Sequence, residues 1–273
     1  MRYYPSLNLS PAKPMKKTSV NIKRSIAKPL VTALIAVLAL GSMSTSVNAK
    51  RFFSDTSISL LYGENYETAF EKNQEITTVT LEHASAFDWG GLFFFVDRLQ
   101  GSGDNNGTRA KDIYGEIAPK FKISDYSNSF IKQVNLAGQY EFGTNSSGFE
   151  QDNFMVGIGA DLNIPIDGMK YASASLYHVF NDDTFSDADD QQITLTYGWE
   201  KNNIVVDGYV DYSFNNDDKK DQLHINPQIK YNLQEALGID NRVELGIEYS
   251  YWHNKFGQDV TQSVPSALLK VHF

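Results

Sequence analysis

From residue 54 to the C-terminus one pattern recurs: about ten residues that alternate apolar and polar, then a turn. The clearest instance is NIVVDGYVDYSF (203–214). Ile204, Val206, Gly208, Val210, Tyr212 and Phe214 fall on one side, and Val205, Asp207, Tyr209, Asp211 and Ser213 on the other. A period of two places these sets on opposite faces of a β-strand. QITLTYGWE (192–200), LHINPQIKYNL (223–233), VELGIEYSYW (243–252) and NFMVGIGADLNI (153–164) behave alike. Strands with one apolar and one charged face need an apolar medium on one side and a polar one on the other.

Counted this way the chain holds about twelve strands, near 54–62, 75–86, 89–98, 111–123, 132–142, 152–165, 169–180, 190–200, 203–214, 222–233, 242–253 and 264–273. The connections alternate in class. GENYETAFEKNQ, QGSGDNNGTRAK, GTNSSGFEQ, NDDTFSDADD, NNDDKKD and NKFGQD are polar or acidic, whereas FD (87–88), SDYSNSF, IDGM and KN (201–202) are mostly tight, with QEALGID the longest of that class. Longer outer loops facing short periplasmic turns are the mark of outer-membrane barrels. A soluble sandwich or lipocalin-like barrel would turn its apolar face inward, with strands of about five or six residues. These strands instead run to about ten, the length of a tilted bilayer crossing.

Trp199, Tyr212, Phe214, Tyr231, Tyr249, Tyr251 and Phe142 lie on apolar faces near strand ends, where interfacial girdles form. The expected fold is therefore all-β: a transmembrane antiparallel β-barrel of about twelve strands, spanning 50–273, with periplasmic termini. The mean hydropathy of -0.36 does not oppose this, because only every second residue of a barrel strand must be apolar.

The first 49 residues differ from the rest. They hold seven Lys and Arg and no acid, then the apolar run PLVTALIAVLALG (29–41) and a small-residue stretch ending Val47-Asn48-Ala49. That is the layout of a secretory signal peptide cleaved after Ala49, and the apolar run is too short for a spanning helix. Met15, followed by Lys16-Lys17, reads as the natural start of such a peptide. Of the chain's 24 Lys and Arg, 17 remain beyond residue 49 against 33 acids, a formal charge of -16. Phosphates would be repelled, so nucleic acid is not an expected partner. With no cysteine in an exported chain, stability must come from the sheet.

The chain ends on SALLKVHF (266–273), an alternating segment in which Ala267, Leu269, Val271 and Phe273 share the lipid side and Leu268, Lys270 and His272 turn inward. An unpaired strand edge in lipid would strand its backbone groups, so this last strand is expected to close on the first.

Function would lie on the inward faces. In DWGGLFFFVDR (88–98), Phe93 and Phe95 share the face of Asp97, leaving Leu92, Phe94 and Val96 to lipid. Other inward candidates are Tyr114, Glu116, Lys120, Tyr171, Tyr177, Asp207, Tyr209, Asp211, Lys230, Glu244 and Trp252. Of these, Phe93, Phe95, Asp97, Tyr114, Glu116, Tyr171, Asp207, Tyr209, Asp211, Lys230 and Trp252 are the pore-lining residues expected to meet solute. Aromatic rings beside carboxylates and amines suit a ligand with a flat π-face and hydroxyls. The same residues could also simply fill a narrow interior. No cofactor or metal is expected. The acidic loop NDDTFSDADD lacks the spacing and glycine of an EF-hand and reads as a solvated loop.

The signal peptide, the strand count, FDWGGLFFFVDR, the acidic outer loops and the terminal LLKVHF together resemble the nucleoside-specific channel-forming proteins of Gram-negative outer membranes, the Tsx-type family with its vibrio-type phage-receptor relatives. The resemblance implies a monomeric twelve-stranded barrel with a narrow, aromatic-lined channel passing nucleosides passively, and one exploited by phages. It further implies that the terminal Phe273 is read by the barrel assembly machinery. A surface receptor or adhesin without transport, or an outer-membrane hydrolase, are the other classes such a barrel could serve. A hydrolase needs a clustered constellation at one rim. His178 with Asn181 in YHVFNDD lacks a following Ser-Asn-Gly, and His83, His224 and His253 stand on separate strands.

Overall fold

In a computed structural model, residues 49–67, 72–101 and 111–273 are described. The signal peptide expected over 1–49 lies, but for its last residue, outside them. The described chain forms twelve strands: β1 (Arg51–Tyr66), β2 (Gln74–Phe87), β3 (Gly90–Gly101), β4 (Lys111–Asp125), β5 (Ile131–Asn145), β6 (Glu150–Leu162), β7 (Met169–Phe180), β8 (Asp190–Lys201), β9 (Ile204–Phe214), β10 (Gln222–Asn232), β11 (Val243–His253) and β12 (Gln262–His272). Each pairs antiparallel with its sequence neighbours, and β1 pairs β12 to close the barrel. The boundaries follow the alternation. The main differences are extensions past the periodic core, β1 running from Arg51 to Tyr66, β3 to Gly101 and β5 to Asn145, where ladder pairing continues after the apolar face has ended, and a shortening of β6, which stops at Leu162 rather than near 165.

Closure is in register along the seam, with Ser57 opposite His272, Ser59 opposite Lys270 and Leu61 opposite Leu268. Phe273 follows the end of β12 but is still tied to the seam, its amide donating to the Thr56 carbonyl at 2.8 Å. Its ring is exposed, on the face opposite the inward-pointing Lys270 and His272. Deleting Phe273 is expected to lower the yield of assembled barrel while leaving export intact, read by fractionation and by the shift of unheated protein on SDS gels. Unchanged assembly at native expression would show that the terminal ring is incidental.

The interior is inverted relative to a soluble protein. Among the described residues, 23 buried side chains are polar or charged and only 10 are hydrophobic. The exposed face carries Ile58, Leu60, Val79, Leu81, Ile117, Ile158, Leu176, Leu195, Ile229, Leu245, Ile247 and Leu269. Water cannot sit against such a wall without large cost, whereas acyl chains can. Rings collect at both of its margins: Tyr140 stacks on Phe142 and Tyr212 on Phe214 at the loop rim, and Trp89 lies against Phe87 and Phe121 at the turn rim. Closed ladders, an apolar belt between aromatic girdles and a polar interior make this a multi-pass outer-membrane β-barrel.

The turn rim is tight. β8 and β9 are joined through Asn202 and Asn203, both at positive φ (53° and 66°), as a two-residue hairpin requires. The longest turn of that rim contains one helical turn, α1 (Gln234–Leu237), which ends on Gly238 in the left-handed region. The alternation did not signal this helix, because four residues are too few for a helical period.

Candidate functional site

Register decides which side chains face the lumen. Ser57, Glu82, Phe95 and Glu116 are successive partners across β1 to β4, so they share one face, and burial of Ser57 fixes that face as the inside. Carried around the barrel, the same rule places all eleven expected pore residues inward, and Lys120, Tyr177 and Glu244 with them. They do not form one site. The lumen is divided into three tiers by charge.

The middle tier is acidic and aromatic. Phe93 and Phe95 lie 6.0 Å apart between ring centroids, and Phe95 lies 5.7 Å from Tyr114. Tyr114 donates to Glu116 Oε1 at 2.6 Å, and its ring passes over Gly143, where a Cβ would meet it at 3.3 Å. Glu116 on β4 is within electrostatic range of Asp211 on β9, across the barrel, and of Asp97 and Glu141. Tyr209 faces the same group. Thus Phe95, Asp97, Tyr114, Glu116, Tyr209 and Asp211 converge on one stretch of lumen.

What holds these carboxylates is unusual: neutral donors only. Thr80 donates to Asp97 at 2.6 Å, Thr194 to Asp211 at 2.6 Å, and Gln139 to Glu116 at 3.0 Å. Glu141, which sequence reasoning did not single out, accepts from Gln139, Gln151 and Asn153. Glu248 accepts from Gln228 at 2.8 Å. None of the five takes part in the ion pairs of the described residues, whose cations gather at the two ends. The period-two rule would have found Glu141, since it continues the polar face of Gln133, Asn135 and Gln139; its apolar neighbours Tyr140 and Phe142 drew attention outward.

The tier at the turn rim is a network of opposite charges. Lys230 Nζ lies 2.8 Å from Asp207 and 3.1 Å from Glu244, Arg242 reaches Glu244 at 2.5 Å and Glu200 at 3.2 Å, and Lys270 meets Glu82 at 2.7 Å. His272 Nδ1 lies 2.8 Å from Asp55. Asp207 and Lys230, both expected along the pore, are thus paired with each other. Tyr171 is also here, open to the lumen, its ring lying where a Cβ on Gly198 would meet it at 2.2 Å. Gly198 makes room for that ring.

The tier at the loop rim is aromatic. Trp252 stacks on His224 at 3.7 Å, and Tyr209 meets the same imidazole edge-on at 5.0 Å. His224 thus has ring partners on both sides, which its isolation in the sequence concealed. Above them the outer loops fold inward. Asp183 of NDDTFSDADD is in a buried ion pair with Lys219 at 2.8 Å, and Asp190 is buried too. This corrects the expectation of a solvated loop. Lys219, from the next acidic-looking connection, supplies the counter-charge that lets Asp183 leave water.

The model of a family described as a domain of unknown function (DUF5020) matches residues 48–273. No curated protein matches the sequence. Among solved structures, the chain is similar to the KdgM porin (10% identity, TM-score 0.43, covering 80% of this chain and 98% of that one). It is similar also to the NanC porin (11%, 0.46, 81% and 99%) and to the translocator domain of the autotransporter NalP from Neisseria meningitidis (11%, 0.44, 92% and 97%). Its own ladders and faces, rather than these distant likenesses, define the architecture.

Proposed function

The chain belongs to the DUF5020 family, and we propose that it is a passive outer-membrane channel for small solutes, with nucleosides as the class that best suits its lumen. The observation that carries this is the middle tier. Phe93, Phe95, Tyr114 and Tyr209 offer π-faces beside carboxylates that have no cation of their own. A base stacked on such a ring gains about 1–3 kcal/mol, and its amino and sugar hydroxyl groups can donate to Asp97, Glu116 and Asp211. Several modest sites in series let a solute enter and leave, as a conducting pore requires. The resemblance to nucleoside-specific channels points the same way.

Five carboxylates without paired cations also favour positive over negative permeants. The protein in planar bilayers under a salt gradient is expected to give a reversal potential of cation-preferring sign. Added nucleosides are expected to block current more strongly than sugars or amino acids of similar size. Block by sugars alone, or by none of the three, would remove the nucleoside reading. The double variant Glu116→Gln/Asp211→Asn is expected to move the reversal potential toward zero; an unchanged potential would place the selectivity elsewhere.

A further inference from the structure

The outer end of the lumen is covered by four loops that hold one another. Phe149 (β5–β6), Phe185 (β7–β8) and Phe256 (β11–β12) form a knot with ring centroids 5.3 to 6.1 Å apart. Phe256 also lies over Trp252, 6.5 Å away and nearly parallel, so the knot sits directly on the column of Trp252, His224 and Tyr209 that lines the lumen. The β9–β10 loop joins from the side. Its Lys219 ammonium contacts Asp183 at 2.8 Å and Asn181 at 3.2 Å, and the Lys220 amide donates to the Gly257 carbonyl at 3.0 Å.

The β11–β12 loop is the strained member. Asn254 and Phe256 both stand in the left-handed region (φ 54° and 59°), which a bulky aromatic residue rarely adopts. Gly257 follows at φ 66°, and a Cβ there would meet the Lys219 side chain at 2.4 Å. The loop is held down by loop-to-loop contacts and by Lys255, whose ammonium donates to the Glu67 carbonyl at 2.6 Å and to Gln262 at 2.7 Å, beneath the rings of Trp252 and Phe256. The loop closes on itself through the Lys255 amide and the Val260 carbonyl at 2.8 Å, but what ties it to the rest of the mouth is contacts with other loops rather than a strand ladder, and its release would relieve the strain.

We propose that the Phe256 loop is a gate, docked here across the outer mouth by Phe149, Phe185 and Lys219, whose release opens the path to the middle tier. The inference rests on the channel reading above. Lys255 gives the gate a pH dependence. Burial pushes its ammonium down to about 7, while in the released loop it returns toward the ordinary lysine value of about 10.4. The sign follows. Between those values the released loop holds a proton that the docked loop lacks, so docking strengthens as pH rises from 7 toward 10 and weakens as pH falls back to 7. The titratable groups facing Lys255 are Glu67 and Asp112, which favour its proton, and His224, while Lys219 of the neighbouring loop packs against Gly257, two residues on.

The chain has no cysteine, so Phe149→Cys/Phe256→Cys introduces the only thiols. This variant, folded as judged by its shift on unheated gels and reconstituted in planar bilayers, is to be joined by a short reducible thiol cross-linker. Open probability is expected to fall at least tenfold when cross-linked and to recover on reduction. Asp183→Asn, which removes the counter-charge of Lys219 and keeps an Oδ1 to accept from the Phe185 and Ser186 amides, is expected to raise it. Wild type is expected to close progressively from pH 7 to pH 9, and Lys255→Met to flatten that response. Equal conductance with the cross-link in place would overturn the gate while leaving the channel intact, as would an Asp183→Asn variant indistinguishable from wild type. Absence of conductance from wild type and reduced variant alike would overturn the channel reading itself, and the gate with it.

Discussion

Replacing Phe93 and Phe95 together by alanine is expected to abolish most nucleoside block while single-channel conductance to small ions persists or rises. The two rings stand next to one another on β3, at 6.0 Å, and Phe95 braces Tyr114 at 5.7 Å. If each stacks a base, each contributes about 1–3 kcal/mol, and together about 2–6 kcal/mol, roughly thirtyfold to twenty-thousandfold in affinity. Loss of the rings widens the lumen at its acidic stretch, so small cations lose an obstacle and keep the carboxylates that attract them. The two readouts therefore move in opposite directions, which a misfolded barrel could not imitate. Tyr171→Ala serves as the control: that ring is lumenal but lies over Gly198 in the tier at the turn rim. Block equal to wild type in the double variant would mean that the rings only fill space. Equal losses from the control would place the solute lower in the barrel.

The strands were legible because a membrane barrel writes its fold at the shortest possible period. Asp207, Tyr209 and Asp211 are lumenal for the same reason that Val206, Val210 and Tyr212 are not, and one residue's slip would exchange the whole set. The rule says which wall a side chain joins but nothing of height along the axis. Hence Asp207 and Asp211, four residues apart on one face, looked equivalent in the sequence. In the barrel one is bound to Lys230 and the other faces Glu116 across the lumen. Height depends on the stagger between strands far apart in sequence, which no local pattern records. The docked loops were hidden for a different reason. NDDTFSDADD and NNDDKKD have the composition of solvated segments, and only the meeting of Asp183 with Lys219, 36 residues apart, makes their burial affordable. Phe149, Phe185 and Phe256, one in each of three polar connections, were the available hint that those connections fold inward.

Lys230→Met is expected to be the most destabilising single substitution in the lumen. The Lys230 side chain is 1% exposed, and its ammonium is shared by Asp207 at 2.8 Å and Glu244 at 3.1 Å, the latter completely buried. Methionine matches the stem in volume, so little packing is lost and the effect isolates the charge. Removing one member of a buried pair leaves the other uncompensated, at a cost of about 3–5 kcal/mol. Glu244 retains Arg242 at 2.5 Å, but Asp207 has no second cation among its ion pairs. The network also crosses the closing seam: Glu244 neighbours Lys270 in the ladder, Lys270 binds Glu82 of β2, and His272 binds Asp55 of β1. A repelled Glu244 therefore loosens the strands that complete the barrel. Denaturant titration of protein folded into lipid vesicles, followed on unheated gels, should give a lower midpoint for Lys230→Met. The triple variant Lys230→Met/Asp207→Asn/Glu244→Gln removes the stranded charges together and is expected to recover most of the loss. A single variant as stable as wild type would mean that lumenal water solvates these carboxylates as well as Lys230 does, and that the ladder alone closes the barrel.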